Sequence, residues 1–412
     1  MQQRLADVGN VAPLGRDFHR LWLAASVSNL GDGIRLGALP LLALRLTGDA
    51  RLIGAVAAAT MAPWFFIAPL AGALVDRHDR RHLMLAGQLG RVLLAVLLAV
   101  LVLVDEATIW WVLIAALGIG IGEVFVDTSS QAAVPQLVDT DQLEAANARV
   151  IGSTMALNDV VGVWLGAVLF AAVTELPFFV DAATFALSAA VLVTVRRPMQ
   201  GERRRDTRIS ADISEGFRFL IGHRLLRRLA GTIATLNLAT NISFGVYVIF
   251  VIEELGASER TFGFVMGFAA MGGVLGAVVA ERITMRFGRT SVLAVTPVAI
   301  AITLAVNVFA QHVAVVGATL FATMFLVVAS NVPGQSLRQE VTPEPMLGRV
   351  VASFRTFGLG ASPIGALLGG VLTEEFGVRA ANAVAAAVAG GAALLMLRAL
   401  RQLPDATNPA LP

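Results

Sequence analysis

Long apolar runs separated by short polar stretches dominate the pattern of this 412-residue chain. A helix needs about 20 apolar residues to cross the hydrocarbon core of a bilayer, and twelve runs are near that length. The pattern therefore predicts an all-α membrane protein with twelve transmembrane helices. The predicted spans cover residues 21–44, 52–75, 83–104, 109–133, 150–174, 178–195, 229–251, 261–280, 290–310, 313–334, 350–372 and 380–399.

A polar segment at 196–228 divides these spans into six and six. Its second part predicts an amphipathic helix on the membrane surface, although a plain basic linker held near anionic lipid remains an alternative. The apolar face of that helix would consist of Ile213, Phe217, Leu220 and Ile221. The predicted domains are a six-helix bundle at 1–195, the linker at 196–228, and a second six-helix bundle with a short tail at 229–412.

The basic residues give the chain an orientation. All 31 of them are arginines, which is typical of a GC-rich bacterial genome. With the N-terminus inside, 24 arginines fall in cytoplasmic segments and four in external loops, as the positive-inside rule requires. Residues 1–17 lack the features of a signal peptide. We therefore predict a multi-pass protein of the bacterial cytoplasmic (inner) membrane with both termini in the cytoplasm.

Composition excludes several function classes. Charged residues make up 15% of the chain, against about 25% in soluble domains. The chain has no cysteine, and its five histidines show no metal-ligand spacing. A nucleophile elbow and a phosphate-binding Gly-Lys loop are also missing. The net charge of +2 is not concentrated on a soluble face. We expect no enzyme activity, metal, cofactor or nucleic-acid partner.

The two halves carry traces of a repeat. The pattern Gly-x-x-Leu-Gly-x-Val-Leu occurs at 162–169 and again at 365–372, which pairs the fifth span with the eleventh. Gly-Ala-x-Val at 72–75 and at 276–279 pairs the second span with the eighth. Their common order predicts two six-helix halves related by parallel repeats.

The loop between the second and third spans carries a motif. It resembles the G-x-L-x-D-R-x-G-R-R/K loop of major facilitator superfamily transporters, with Asp79 in place of the second glycine. The matching residues are Gly72, Leu74, Asp76, Arg77, Arg80 and Arg81. The second-half copy keeps Arg286, Gly288 and Arg289 but has Ala280 where the acidic residue should stand.

Three phrases resemble the superfamily's macrolide-efflux and enterobactin-exporter branch more narrowly. They are Ser28-Asn-Leu-Gly-Asp32, Gln131-Ala-Ala-Val-Pro-Gln-Leu-Val138 and Glu215-Gly-Phe-Arg-Phe219. The resemblance implies the major facilitator fold, export by alternating access, and a central cavity lined by helices 1, 4, 7 and 10. The Gly-Pro pair that antiporters of this superfamily often carry in helix 5 is incomplete here, since Val161-Gly162 has no proline.

Ionisable residues inside the spans are candidates for function, because each costs about 2.5–3.5 kcal/mol to insert. Asp32 and Arg35 lie three residues apart in the first span, and Glu123 and Asp127 lie four apart in the fourth. The resemblance places Asp32, Arg35 and Glu123 at the central cavity. Neutral polar residues on the same helices are Asn29, Asn237, Asn241, Asn331 and Gln335.

A carboxylate in a half-dry cavity can exchange protons as the cavity opens to either side. We rank Glu123 first as the proton carrier, then Asp32, then Asp127. Two structural interpretations compete with this ranking. Asp32 and Arg35 would simply neutralise each other and fix helix packing, and Glu123 would pair helices by a hydrogen bond.

The resemblance also implies a cytoplasmic latch. Asp76 would face the start of helix 11 near 348–353, where the helix dipole favours a negative charge. The latch residues would be Gly72, Asp76, Arg77, Arg80 and Asp127. The alternative is that these arginines act only as topology signals.

Three polar groups within the spans look structural. We expect Arg91 and Arg355 to extend to the inner membrane surface, with Arg355 also able to reach Asp127. Asp181 should cap the outer end of the sixth helix.

The leading hypothesis is proton-coupled efflux of amphipathic small molecules, drug-like or siderophore-like, by a monomer that draws on the proton gradient. Its expected partners are the substrate, protons and the lipid bilayer. One alternative is an importer or uniporter of the same fold. Another is a membrane scaffold or sensor that transports nothing, which the mid-depth carboxylates Asp32 and Glu123 argue against.

Overall fold

The computed structural model describes residues 14–200, 209–343 and 346–400. Regular structure in these ranges is helical throughout. The helices are α1 Arg16–Leu46; α2, in two segments, Ala50–Phe66 and Ala68–Arg77; α3 Arg80–Leu103; α4 Ile109–Leu137; α5 Thr140–Ala172; α6 Leu176–Val193; the linker helix Ile209–Gly222; α7 Arg224–Glu254; α8 Glu259–Phe287; α9 Arg289–Phe309; α10 Val313–Glu340; α11 Leu347–Phe376; and α12 Val378–Leu400.

The twelve predicted spans match these helices. In the described part of the chain, ten helices are long and apolar enough to cross a membrane, and the two segments of α2 make up an eleventh span, bent by 44°. Helix α1 is the twelfth span. Its 31 residues extend about 46 Å, although Asp32 and Arg35 lower its hydropathy. The prediction of an all-α membrane protein with twelve spans is confirmed.

Two spans depart from regular α-helix. Helix α2 bends between Phe66 and Ala68, where Pro69 lacks the N–H that would continue the hydrogen-bond ladder. Helix α5 contains a π-helical segment at Met155–Gly162. Such segments are rare and frequent at functional sites. The hydropathy pattern predicts neither feature, because both depend on backbone hydrogen bonding.

The chain divides into two compact units. The first comprises Met1–Leu42 and Phe66–Arg205, and the second comprises Ala43–Phe65 and Asp206–Pro412. The end of α1 and the first segment of α2 thus pack with helices of the second unit. Within that unit, a Cβ atom added to Gly54 would lie 2.9 Å from the Cα atom of Gly370.

Ion pairs accompany this packing in the second unit. Arg45 donates to Glu259 across 2.9 Å, and Arg51 pairs with Glu375. The backbone N–H of Ala50 donates to Glu374 across 2.8 Å. The loop arginines and the acidic loop residues of the second half therefore join the segment 43–65 to the rest of the unit.

Glycine contacts of the same kind hold each unit together. In the first unit, a Cβ atom on Gly166 of α5 would overlap the carbonyl oxygen of Ile34 in α1. In the second unit, a Cβ atom on Gly369 of α11 would overlap the carbonyl oxygen of Ile242 in α7. The two glycines are equivalent positions of the sequence repeat. The repeat therefore preserves close contact between backbones.

The linker helix packs on α11 within the second unit. Leu220 is buried in an apolar core that includes Leu337 and Val350. Glu215 accepts a hydrogen bond from Arg349 across 2.7 Å. Of the predicted apolar face, Leu220 is therefore buried, whereas Phe217 and Ile221 are partly exposed. The side chain of Ile213 lies outside the described residues. Contact of this helix with the membrane surface stays a prediction.

Candidate functional site

The first unit brings the three candidate residues of α1 and α4 together. Arg35 donates through Nη2 to Asp32 Oδ1 across 3.1 Å and to Glu123 Oε2 across 2.9 Å. Asp32 and Arg35 are almost fully buried, whereas 17% of the Glu123 side chain is exposed. Their predicted position at the central cavity stays a prediction. Their mutual contact is a feature of the first unit alone.

A second guanidinium joins the cluster from α3. Arg91 donates to Asp32 through Nη2 and to Ser28 Oγ through Nη1, the latter across 2.9 Å. Its guanidinium carbon lies 3.7 Å from the centre of the Phe185 ring. Only 1% of Arg91 is exposed, so the expectation that it extends to the membrane surface is wrong.

The error has a physical cause. Helix α3 begins at Arg80, three residues earlier than the predicted span, and Arg91 lies eleven residues beyond that end. At 1.5 Å per residue this position is about 16 Å from the start of the helix, close to the middle of its 24 residues. A side chain at that position faces the interior of the bundle when carboxylates are available there.

Gln88 links the cluster to α6. Its Nε2 atom donates to Ser28 Oγ across 3.0 Å and to Ser188 Oγ across 2.8 Å, and its Oε1 atom accepts from Arg91 across 3.1 Å. Gln88 and Ser188 are fully buried. One amide therefore connects α1, α3 and α6 and holds Arg91 in place.

Asp181 supplies a third carboxyl group from α6. It is fully buried, and neither of its oxygens has a hydrogen-bond partner among the described residues. It lies close enough to Arg35, Asp32, Arg91 and Glu123 to interact electrostatically with all four. The expectation that Asp181 caps α6 is wrong, because Glu175 occupies the position before the helix.

Local sequence explains why Asp181 points inward. Asp181, Thr184 and Ser188 follow one another at spacings of three and four, so they share the buried face of α6. On α1, a Cβ atom added to Gly31 would lie 2.6 Å from Asp181 Oδ1. Gly31 therefore permits the close approach of α6. The spacing of Asp181, Thr184 and Ser188 was the signal in the sequence that could have identified Asp181.

The cluster has an uneven charge. It contains three carboxyl groups, from Asp32, Glu123 and Asp181, and two guanidinium groups, from Arg35 and Arg91. If all five were ionised, the cluster would carry one net negative charge. An unbalanced charge in a low-dielectric interior costs several kcal/mol, roughly, and one bound proton removes it. The arrangement is therefore suited to binding a proton.

Three of the predicted polar residues outside this cluster form contacts within or between helices. Asn29 donates to Thr154 Oγ1 of α5 across 2.9 Å. Asn237 donates to the carbonyl oxygen of Gly358 in α11 across 2.8 Å, and Asn241 donates to the carbonyl oxygen of Asn237 within α7. Asn331 is exposed on α10. A role for these amides in a central cavity stays a prediction.

Within the loop motif, Arg80 makes hydrogen bonds to other parts of the first unit. Its Nη1 atom donates to the carbonyl oxygens of Ala132 and Met199, each across 2.8 Å. Asp76 and Arg77 are exposed. A Cβ atom added to Gly72 would meet nothing within 4 Å.

Asp127 is half-buried on α4, and Asp76 lies near enough to Arg80 for electrostatic interaction. The side chain of Arg355 lies outside the described residues. The proposed latch therefore stays a prediction.

Sequence reasoning also missed Asp159. This residue lies in the π-helical segment of α5 and is exposed on the surface of the first unit. The polar pair Asn158-Asp159 inside an apolar run was the signal. An ionisable residue inside a spanning helix is a candidate for function by default.

A family model described as transmembrane secretion effector matches residues 8–410. The chain belongs to this family of major facilitator superfamily transporters. It is 26% identical over 405 residues to the multidrug efflux pump Tap of Mycolicibacterium fortuitum, covering 94% of this chain and 97% of that protein. It is 26% identical over 231 residues to macrolide efflux protein A of Streptococcus pyogenes, covering 55% of each.

Solved structures share the fold of this family member. A bacterial homologue of the iron transporter ferroportin, in its inward-facing state, superposes with a TM-score of 0.77 at 18% identity, covering 95% of this chain and all of that one. The nucleoside transporter NupG gives a TM-score of 0.72 at 13% identity, covering 95% of this chain and all of that one. The major facilitator fold and the branch predicted from the loop motif and the three local phrases are confirmed. The chain is a membrane transporter and not an enzyme.

Proposed function

We propose that the chain is a proton-coupled exporter of amphipathic small molecules that works by alternating access. The observation that carries the proposal is the buried cluster with three carboxyl groups and two guanidinium groups in the first unit. The names of the relatives, a multidrug efflux pump and a macrolide efflux protein, support export as the direction. Drug-like or siderophore-like compounds are the proposed substrates.

Glu123 is the entry point for the proton. It is the exposed member of the cluster and accepts a hydrogen bond from Arg35. When Glu123 is protonated, its charge attraction to Arg35 is lost, and Arg35 retains Asp32 as its charged partner on the same helix. The link between α1 and α4 therefore weakens on protonation and strengthens on proton release. This change provides a way to couple proton binding to helix movement.

The proposed setting is the bacterial cytoplasmic membrane, with a monomer as the working unit and both termini in the cytoplasm. The arginine bias of the predicted inner loops supports this orientation. Inward movement of protons would then drive substrate outward, and no cofactor is required.

Purified protein in proteoliposomes tests the coupling. A panel of drugs and siderophores would be screened first in an efflux-deficient strain, with and without a protonophore. With an active substrate, Glu123→Gln should abolish substrate-dependent proton movement while equilibrium binding of the substrate stays measurable. The exposed Glu144 provides the matched control, since Glu144→Gln should leave coupling intact.

Unchanged proton movement in the Glu123→Gln protein would remove this residue from the mechanism. Accumulation of the compounds inside cells that express the protein would instead identify an importer or uniporter of the same fold.

A further inference from the structure

The second unit contains a cavity of about 280 Å³ among α7, α9, α10, α11 and α12. Small-molecule sites range from roughly 300 to 1,000 Å³, and this cavity is at the lower limit of that range, so its volume suits only a small ligand. The cavity is separate from the charge cluster, because all of its lining belongs to the second unit. Three of its lining residues, Asn237, Asn331 and Gln335, lie on the two helices of this half that the family resemblance places at a central cavity, and the lining extends from them to α9 and α12.

One wall of the cavity is a stripe of hydrogen-bond donors on α10. Asn331, Gln335 and Arg338 follow at spacings of four and three, which places them on the same helical face, and all three line the cavity. Two amide groups and a guanidinium supply N–H donors along this stripe.

The opposite walls are apolar. Leu229, Ile233 and Leu236 repeat the same helical spacing on α7, and Ile300 of α9 lies deeper. Phe354 of α11 contributes a ring whose centre is 4.7 Å from the guanidinium carbon of Arg338. The cavity is therefore amphipathic, with donors on one side and hydrocarbon on the other.

Other polar groups of the lining use their hydrogen atoms elsewhere. Thr240, Thr296 and Ser330 donate to carbonyl oxygens of their own helices at 2.8–3.0 Å. Asn237 uses one of its two amide N–H donors in the bond to α11. The donors that remain for a ligand are therefore those of the α10 stripe and the second N–H of Asn237.

Arg338 lacks the charge balance found in the first unit. There, Arg35 and Arg91 each contact a carboxylate. Around this cavity the lining contains no carboxylate, and the buried Nε atom of Arg338 has no hydrogen-bond partner among the described residues. A cation that is partly removed from water and has no carboxylate partner among the described residues favours the binding of an anion.

We propose that this cavity binds an apolar molecule that carries one acid group. The acid group lies against Arg338 and Gln335, and the apolar body extends along α7 and α9. From Arg338 to Val327 the lining spans eleven residues of α10, about 16 Å. The ligand is either a soluble organic acid or an anionic membrane lipid, since both present the same chemistry. A role of this ligand in export rests on the proposed function, whereas binding of the ligand to the cavity does not.

Equilibrium binding of radiolabelled 4-phenylbutyrate to the full chain in phosphatidylcholine nanodiscs tests this proposal without a proton gradient. The neutral 4-phenylbutanol and the cationic 4-phenylbutylamine serve as matched competitors. The acid should displace the label at least tenfold better than either. Arg338→Gln should weaken its binding at least tenfold, and Arg338→Lys should retain most of it.

The matched control is Arg282→Gln, because Arg282 is exposed in the same unit and does not line the cavity. Gln335→Leu provides a second variant that keeps the charge of Arg338, and it should also weaken binding. Each variant is first checked for wild-type thermal stability, and the pair Arg338→Lys and Gln335→Leu decides the matter if Arg338→Gln does not fold.

Equal binding of the acid and the alcohol would overturn the proposal, as would wild-type affinity in Arg338→Gln or in Gln335→Leu. Phosphatidylglycerol added to the nanodiscs identifies the source of the ligand. Displacement of the label by this lipid supports an anionic lipid as the occupant, and an unchanged signal supports a soluble acid. Absence of proton-coupled transport by the wild-type protein, together with intact acid binding, would contradict the proposed function alone.

Discussion

In the buried cluster of the first unit, both arginines, Arg35 and Arg91, contact a carboxylate. Arg91 is the clearest case, because it is fully buried and contacts Asp32, Ser28 and Gln88. A buried ion pair adds little net stability when compared with apolar packing, but removal of one partner leaves an uncompensated charge. The individual residues of the cluster therefore have different roles that substitution can separate.

Replacement of Arg91 tests its structural role. Arg91→Met should lower the free energy of unfolding by about 3–5 kcal/mol, because Asp32 and Asp181 would share one guanidinium in place of two. Denaturant unfolding in detergent measures the change. Arg282→Met, at an exposed position, should lie within about 0.5 kcal/mol of wild type. A stability of Arg91→Met equal to that of the control would contradict the role given to Arg91.

Asp159 is a carboxylate inside a spanning helix but outside the cluster. We predict that Asp159→Asn lowers proton-driven export at least tenfold, because an acid inside a spanning helix is costly to insert and is therefore a candidate for binding the transported ion or substrate. Export from proteoliposomes under an imposed pH gradient measures the effect. Asp141→Asn, at an exposed position in the first turn of α5, is the matched control and should export at the wild-type rate.

If Asp159→Asn and Asp141→Asn export equally well, the π-helical segment of α5 has no role in coupling.

At the level of helices, the repeated glycines determine which helices touch. Gly166 and Gly369 occupy equivalent places, against α1 in the first unit and against α7 in the second. The sequence repeat identified these positions, but only packing shows why glycine is needed there. A methyl group at either position would meet a backbone carbonyl, which cannot move aside as a side chain can.

An alanine substitution at each of the two glycines tests these contacts. Gly166→Ala and Gly369→Ala should each destabilise the protein by about 1–3 kcal/mol through overpacking. Gly390→Ala is the control, because a Cβ atom there meets nothing within 4 Å. It should be neutral or stabilise the protein by up to about 1 kcal/mol through helix propensity. Thermal unfolding of the three variants in one detergent provides the comparison, and equal stabilities would refute the role of these contacts.

Helix ends were the main source of error at this level. The predicted third span began at residue 83, whereas α3 begins at Arg80. Three residues shift the estimated depth of Arg91 by about 4.5 Å, nearly one turn. Hydropathy changes gradually near a membrane surface, so it defines the existence of a span better than its ends.

Over the whole molecule, the boundary between units differs from the boundary between repeats. The segment 43–65 belongs to the first repeat in sequence but packs within the second unit. Its ion pairs Arg45–Glu259 and Arg51–Glu375 are made by external loop residues in the predicted topology. Hydropathy and repeat patterns carry no information about such long-range pairing.

The latch is the prediction that concerns the whole molecule. Asp76→Asn should raise the labelling of a cysteine at Val351 by a membrane-impermeant maleimide from the cytoplasmic side, because the proposed latch favours closure of that side. The chain has no native cysteine, so the introduced thiol is the sole target. Asp141→Asn in the same background is the control. Equal labelling rates in the two proteins would refute the latch.

The sequence by itself determined the number of spans, their predicted orientation, the family and the trio Asp32, Arg35 and Glu123. These depend on properties that are local along the chain, namely the cost of placing each residue in hydrocarbon and the short spacing of side chains on one helix. Cluster membership of Arg91 and Asp181 was decided only by the tertiary structure, because it depends on the rotation and depth of α3 and α6. The cavity beside Arg338 also required the structure, since it is the space that five packed helices leave unfilled.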